Sequence, residues 1–416
     1  MSTPAKHSEG IGHTIMQWAD QLAAHSESPD ALTRTYLTPA HRAAARQLEE
    51  WMTAAGMTVR HDAVGNVIGR YEAATPGAPT LLTGSHFDTV RDAGKYDGNL
   101  GILLPVACIA EWNRQGKRFP FAIEVIGFAE EEGVRFKATL LGSRALAGTF
   151  DTSVLELRDE QGMSMRAALD AAGLSADRIA DASCVGRDLL GFVEVHIEQG
   201  PILLDKNLPV GVVTAISGAS RFMVTASGRA GHAGTVPMHL RRDAAMAAAE
   251  IGLYIERRCS GVPGLVGTVG QLQVPNGAAN VVPGRTVFTM DIRAESDPVR
   301  LSAVEDILAE AKRIAEKRNV VLDIRKTHEA PSVPCAPRLQ EQLRQAIAAL
   351  SIPVFELPSG AGHDAMAMAA ATDVAMLFVR CGNEGISHHP DEIMTAEDAA
   401  TAASVFSRFV ENLSRG

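Results

Sequence analysis

The run Phe121-Ala122-Ile123-Glu124-Val125-Ile126-Gly127-Phe128-Ala129 is strongly strand-like and stops on three consecutive glutamates, Glu130, Glu131 and Glu132. It has companions along the chain. Thr80–Ser85 reads as a buried strand, a helix is expected from about Gly98 to Gln115, and Gly191–Ile197 reads as another strand. Strands separated by helical stretches predict an α/β fold, a mostly parallel mixed sheet flanked by helices. In such sheets ligands gather beyond the carboxyl ends of the strands. His86, Glu131, Glu132 and His196 all fall at or just past such ends.

From about Val213 to His328 the order of elements changes. A strand (Arg221–Ala226) and a helix (Arg241–Arg258) lead to strands near Val266–Val274 and Val287–Arg293, then a helix (Pro298–Arg318) and a strand (Val320–Arg325). Strand–helix–strand–strand–helix–strand is the ferredoxin-like pattern. A chain of 416 residues also exceeds the roughly 250–300 residues at which a single core stops growing. Two domains are therefore expected: residues 1–212 with 329–416, and an inserted α+β domain, residues 213–328.

Composition narrows the classes of function. Apolar residues make up 46% of the chain, enough for a sizeable core, and the net charge of −10 comes from interspersed acids and bases. Without a Lys/Arg cluster, nucleic acid is not the expected partner. The stretch Met1-Ser2-Thr3-Pro4-Ala5-Lys6-His7-Ser8-Glu9 lacks the basic-then-apolar profile of a signal peptide. No apolar run reaches the ~18 residues that span a bilayer, so no membrane partner is expected. Cys108, Cys184, Cys259, Cys335 and Cys381 are scattered and odd in number, unlike a disulfide framework or a Cys-based zinc site. We expect small core fillers in a reducing cytoplasm.

Two doubly charged ions held close together need a bridging carboxylate with terminal His and carboxylate ligands. The candidates are His86 in Gly84-Ser85-His86-Phe87-Asp88, Asp97 before Gly98, Glu132, His196 in His196-Ile197-Glu198-Gln199-Gly200, and His388 in Ser387-His388-His389-Pro390. Asp88 shares a strand face with His86 and is placed to orient its imidazole. Glu131, beside Glu132, is the candidate general base. Each signal also has a bland reading: a satisfied polar His, a solvated acidic turn, an Asp-Gly turn, a surface His pair. Their shared placement in strand-end loops is what joins them. Arg293 is suited to fork a carboxylate, and His232, in a Gly-flanked turn, could donate to an oxyanion. The plain alternatives are a turn His, a turn Asn at Asn280 and a surface Arg paired with Asp291 or Glu295.

Taken with their neighbours, these residues resemble the hydantoinase/carbamoylase amidases of the dinuclear-zinc aminoacylase and carboxypeptidase superfamily, over essentially the whole chain. The motifs are Gly84-Ser85-His86-Phe87-Asp88-Thr89-Val90, Ala129-Glu130-Glu131-Glu132-Gly133-Val134-Arg135-Phe136, His196-Ile197-Glu198-Gln199-Gly200-Pro201, Gly231-His232-Ala233-Gly234-Thr235-Val236-Pro237-Met238, Asn280-Val281-Val282-Pro283-Gly284, Ser359-Gly360-Ala361-Gly362-His363-Asp364-Ala365 and Gly385-Ile386-Ser387-His388. The resemblance implies a zinc-exopeptidase-like catalytic domain, with the insert as a lid that also forms the interface of a homodimer. It implies two divalent ions (zinc, with manganese, cobalt or nickel also suited) on His86, Asp97, Glu132, His196 and His388, Asp97 bridging, and Glu131 as catalytic base. His196, where peptidase relatives carry a carboxylate, looks like the carbamoylase branch; His389 is not needed.

By the same resemblance Arg293 grips a substrate carboxylate and Asn280 helps. His232 of the partner subunit steadies the tetrahedral intermediate, and Gln199, Gly360 and Gly362 line the pocket. His363 and Asp364 stabilise their loop. The implied reaction is hydrolysis of the ureido group of an N-carbamoyl-L-amino acid to the amino acid, carbon dioxide and ammonia. Allantoate is the alternative substrate. An aminoacylase or metallopeptidase, and a non-catalytic binding protein on the same scaffold, are the more distant readings.

Overall fold

The computed structural model describes residues 4–415, with side chains from residue 10; Met1–Thr3, where the N-terminal stretch read above begins, lie outside the described residues. The principal elements in chain order begin with α1 (Pro4–Ala23), α2 (Pro39–Ala54), β1 (Thr58–His61), β2 (Val67–Tyr71) and β3 (Thr80–His86). Next come α3 (Leu100–Arg114), β4 (Ala122–Phe128), β5 (Leu189–Ile197), β6 (Val210–Ile216), β7 (Gly218–Ser227), α4 (Ala244–Cys259), β8 (Leu265–Thr268) and β9 (Leu272–Gln273). The chain continues with β10 (Arg285–Ala294), α5 (Asp297–Arg318), β11 (Val321–Ala330), α6 (Pro337–Ala349), β12 (Val374–Val379) and α7 (Ala396–Leu413). Two compact units result. One holds the chain up to Thr214, Cys335–Leu357 and the chain from Gly362 onward; the other holds Ala215–Pro334 and Pro358–Ala361.

In the first unit β4, β3, β5 and β12 lie side by side and parallel. β2 and β6 flank this centre antiparallel, with β1 outside β2. β3 and β4 are buried at every position, the pattern of strands covered on both faces. α3 is apolar around almost its whole circumference, with Leu100–Ile109 and Trp112 buried, as befits a helix inside a core. It packs on β3, β4 and β5 and on α1 and α7. The turn at its N-terminus is thereby fixed against the carboxyl ends of those strands. All five cysteines are buried and unpaired. Among the described residues, no helix is long and apolar enough to cross a membrane.

In the second unit β11, β7, β10 and β8 lie in that order and pair antiparallel, β9 also pairing with β10. Phe222, Val224 and Ala226 of β7 and Phe288, Met290 and Ile292 of β10 form one core with Ile251 and Ile255 of α4 and Ile307 and Ile314 of α5. Alternation along the strands turns Arg221, Asp291 and Arg293 to the opposite face. One sequence expectation needs correction. The strand expected over Val266–Val274 is two short pieces, because Gly270 interrupts it. The unit runs from Ala215 to Pro334 and also takes in Pro358–Ala361, where the Gly360 carbonyl accepts a hydrogen bond from Arg293 Nη1 at 2.6 Å.

Candidate active site

β3 ends on His86, whose side chain is buried. Its Nδ1 lies 3.0 Å from the backbone carbonyl of Asp88. A carbonyl only accepts, so Nδ1 is the donor there. The ring's other nitrogen, Nε2, faces Asp97, 3.6 Å from Oδ1. Asp97 reaches this place through the turn at the head of α3, where Gly98 has φ +66° and a Cβ would stand 2.5 Å from the His86 ring. His196 comes from the end of β5. Its Nδ1 is bonded to its own neighbour's carbonyl, Ile197 O, at 2.9 Å, and its Nε2 is 3.3 Å from Asp97 Oδ1. Burial pushes the His196 imidazole down to about 4, so the ring is neutral.

The other Asp97 oxygen, Oδ2, has a separate set of neighbours. His388 Nε2 is 3.1 Å away, the Gln199 amide donates at 3.0 Å and the Ser387 hydroxyl at 3.3 Å. His388 Nε2 is also 3.6 Å from Glu132 Oε1. Asp97 thus stands between two donor groups, His86 with His196 and Glu132 with His388. Its Oδ1 is buried without a hydrogen-bond donor. A buried carboxylate oxygen left without a hydrogen-bond donor is costly unless a cation completes it. The donor set, all imidazole and carboxylate, fits a pair of divalent ions. Charge agrees: burial pulls the His86 imidazole down, yet the carboxylates of Asp88 and Asp97 outweigh it and hold it well above its ordinary value. A field that strongly favours a proton there also favours a metal cation.

The glutamates divide their work. Glu131 and Glu132 give their backbone N–H groups to Asp88 Oδ1 and Oδ2, at 3.0 and 3.2 Å. Burial, then the charge of Glu132, pushes the Glu131 carboxyl well above the usual range, so it has a high affinity for a proton. Glu131 lies beside Gly362, whose added Cβ would sit 3.9 Å from Oε1. Glu130 is buried and accepts from Gly133 N, a structural role in the turn. One expectation changes here. The Asp88 carboxylate is 3.5 Å from His86 Nδ1, and it is the Asp88 carbonyl that orients the ring. The carbonyl of the same residue is nearer, at 3.0 Å, and the carboxylate clamps the glutamate turn.

His388 joins the cluster and His389 does not; the latter takes a hydrogen bond from Asp391 N. His363 is buried with its ring 4.5 Å from that of His196. Three supporting residues escaped sequence reasoning. Arg34 is fully buried and donates to Phe87 O at 2.6 Å, Leu22 O at 2.8 Å and Asn99 Oδ1 at 2.8 Å. It ties the His86 strand end to the head of α3. Glu392 accepts from Tyr96 N, Asp97 N and the Ser387 hydroxyl, joining the loops of Asp97 and His388. Glu194 accepts from Ser85 Oγ and from Ala365 N. Its signal was present, since an acid two residues before His196 shares its strand face. For Arg34 the sequence carries no local signal.

In the second unit, His232 is exposed and accepts from Gly234 N through Nδ1 at 3.1 Å. It pairs with Val281 across a short ladder, and Ala233 N donates to Asn280 O, which brings His232 and Asn280 together. Arg293 pairs with Asp291 through Nε and Nη2, at 3.0 and 2.8 Å, and with Gly360.

An α/β sheet whose carboxyl edge gathers imidazoles and carboxylates around one shared aspartate defines the class of hydrolases that work with divalent cations. More narrowly, this chain belongs to the peptidase family M20/M25/M40, whose model matches residues 82–412, and within it to the hydantoinase/carbamoylase amidases. It is 39% identical over 406 residues to the N-carbamoyl-L-amino acid amidohydrolase of Geobacillus stearothermophilus, covering 97% of this chain and 99% of that protein. It is 38% identical over 425 residues to the allantoate deiminase of Arabidopsis thaliana, covering 94% and 80%. The crystal structure of a hydantoinase/carbamoylase family amidase from Burkholderia multivorans superposes with a TM-score of 0.92 at 31% identity, covering 97% of this chain and 98% of that one. The chain is an amidohydrolase, an enzyme that hydrolyses C–N amide bonds.

Proposed function

We propose that this amidohydrolase removes the carbamoyl group from an N-carbamoyl-L-amino acid. The observation that carries the site assignment is Asp97, with one oxygen facing His86 and His196 and the other facing His388, and Glu131 close by. Support for the substrate is the near full-length likeness to an N-carbamoyl-L-amino acid amidohydrolase. The likeness to an allantoate deiminase is almost as strong, and allantoate, which also joins a carboxylate to ureido groups, is the second reading.

His86, Asp97, Glu132, His196 and His388 would hold two divalent ions, zinc or alternatively manganese, cobalt or nickel, with Asp97 shared. Such ions supply Lewis acidity, polarising the carbonyl under attack and acidifying a water. Glu131 takes the proton of the attacking water and returns it to the leaving nitrogen. Asp88 holds Glu131 and Glu132 in register through their backbone N–H groups. Water adds to the ureido carbonyl, the bond to the amino-acid nitrogen breaks, and the carbamate released falls to carbon dioxide and ammonia. Arg293 forks the substrate carboxylate with help from Asn280, and Gln199, Gly360 and Gly362 line the pocket. His232 donates to the oxyanion from the partner of a homodimer, the second unit serving as lid and dimerisation surface. The working compartment is the cytoplasm.

A substrate panel tests this. Purified enzyme loaded with zinc, manganese or cobalt is given N-carbamoyl-L-amino acids, allantoate and N-acyl amino acids, and ammonia and free amino acid are both measured. Ammonia with free amino acid from the N-carbamoyl substrates is the expected result. Ammonia from allantoate alone would replace the first reading by the second, and amino acid without ammonia would make the enzyme an aminoacylase.

A further inference from the structure

The second unit's sheet carries its core on one face and a line of charge on the other. Asp291 of β10 lies directly across the antiparallel ladder from Arg221 of β7. Arg221 Nε donates to Asp291 Oδ2 at 3.0 Å. Arg293, two residues on from Asp291 and therefore on the same face, donates to Oδ1 and Oδ2 at 3.0 and 2.8 Å. One carboxylate thus serves two guanidinium groups. All three side chains line a cavity of about 640 Å³, with Thr268, Thr289 and Gly360. Burial pushes the Asp291 carboxyl up, but Arg293 and Arg221 outweigh it and hold it below the usual range. Asp291 is ionised, and two cations against one anion leave the trio with a single positive charge.

The hydrogen bonds of Arg293 point the same way. A guanidinium has five N–H groups. Asp291 takes two of them and the Gly360 carbonyl a third. One N–H on each Nη remains, enough for a two-point hold on a carboxylate. The geometry is ready, but Asp291 alone would cancel the charge, and an incoming anion would meet a neutral pair with a carboxylate inside it. Arg221 removes that cancellation.

We infer that Arg221 is a further specificity determinant of the carboxylate site: by neutralising Asp291 it leaves the charge of Arg293 to an anionic substrate. This rests on the reading of Arg293 as the carboxylate holder. Asp291 is then a positioning residue, which fixes the Arg293 fork.

The test uses the metal-loaded enzyme and the faster of two substrates, N-carbamoyl-L-alanine and allantoate. Arg221→Gln should raise KM about three- to tenfold with kcat within about twofold, the scale of one half-exposed charge. Arg221→Lys, which keeps the charge, should stay within about twofold of the parent KM. Adding Asp291→Asn to Arg221→Gln should bring KM back toward the parent value. Arg293→Gln is the separating arm. If it leaves KM unchanged, the carboxylate reading fails and the role of Arg221 with it. If Arg293→Gln raises KM while Arg221→Gln does not, or while Lys and Gln at Arg221 raise it equally, the charge role of Arg221 is refuted and the reading of Arg293 stands.

Discussion

Replacing Gly98 by alanine tests the proposed metal centre at its tightest point. The new Cβ would stand 2.5 Å from Cε1 and Nε2 of His86 and 2.5 Å from the His86 carbonyl oxygen. Carbon atoms rest about 3.5–4.0 Å apart, so roughly 1 Å of movement is required. The His86 ring cannot supply it cheaply, since it is buried and its Nδ1 is tied to Asp88 O. The turn cannot supply it either without moving Asp97, the adjacent residue, or the Gly98 N–H that faces His196 Nε2 at 3.2 Å. Metal sites tolerate only about 0.2 Å in ligand distances. The left-handed φ of +66° adds about 1–2 kcal/mol of strain for any residue with a Cβ. Gly98→Ala should therefore lose at least about 100-fold in metal affinity, the upper range seen when ligand orientation is disturbed. Chelator competition and metal content after dialysis measure this directly. A thermal melt in chelator should fall by only a few degrees, which separates loss of metal from loss of fold. A Gly98→Ala protein that keeps two ions per chain with affinity within about twofold of the parent would refute the centre.

Three further outcomes follow from other contacts. Glu131→Gln should retain metal content and lose about 10²–10⁴-fold in kcat, the usual contribution of a general base; full activity with bound metal would remove the proton-transfer role. Arg34→Met strips donors from Phe87 O, Leu22 O and Asn99 Oδ1 and should destabilise the fold by about 3–5 kcal/mol, read by denaturant unfolding; an unchanged midpoint would contradict the tie it is assigned. His41 is buried against Phe87 with Nε2 on Ala129 O, and burial pushes its imidazole from 6.5 down to about 4. The unfolded chain takes up that proton below about 6.5 and the folded chain only below about 4, so stability drains away as pH falls through this window, by up to about 3 kcal/mol. In chelator, His41→Gln should flatten the decline in urea resistance between pH 7 and pH 5, and a slope equal to the parent's would show that another group sets it.

The sequence showed the ends of the strands, and hence the candidate site, because residues there are local to strands with a readable period. His86 at the end of β3, the glutamates after β4 and His196 at the end of β5 needed only the rule that parallel sheets present their carboxyl edges to ligands. What stayed hidden was long-range. Arg34 lies far from Phe87 and Asn99 in sequence, and a lone arginine near the N-terminus says nothing of what it will satisfy. Glu392 lies almost three hundred residues beyond Asp97 in sequence, and only the folded chain brings it to Asp97 N. Which group of Asp88 meets His86 depends on backbone direction at the strand end, which composition does not fix. Asp291 was legible as a partner of Arg293, but Arg221 was not, since cross-strand register is set by the whole ladder.

Arg34 has one more consequence. It grips carbonyls at the end of α1, the backbone beside His86 and the side chain at the head of α3 with a single planar group. The part of the chain that matches the family model begins only at residue 82. A fragment cut there would contain every proposed metal ligand and none of the clasp that sets two of their loops against each other. The span that the family model matches therefore leaves out α1, α2 and, between them, the one arginine that joins the two loops.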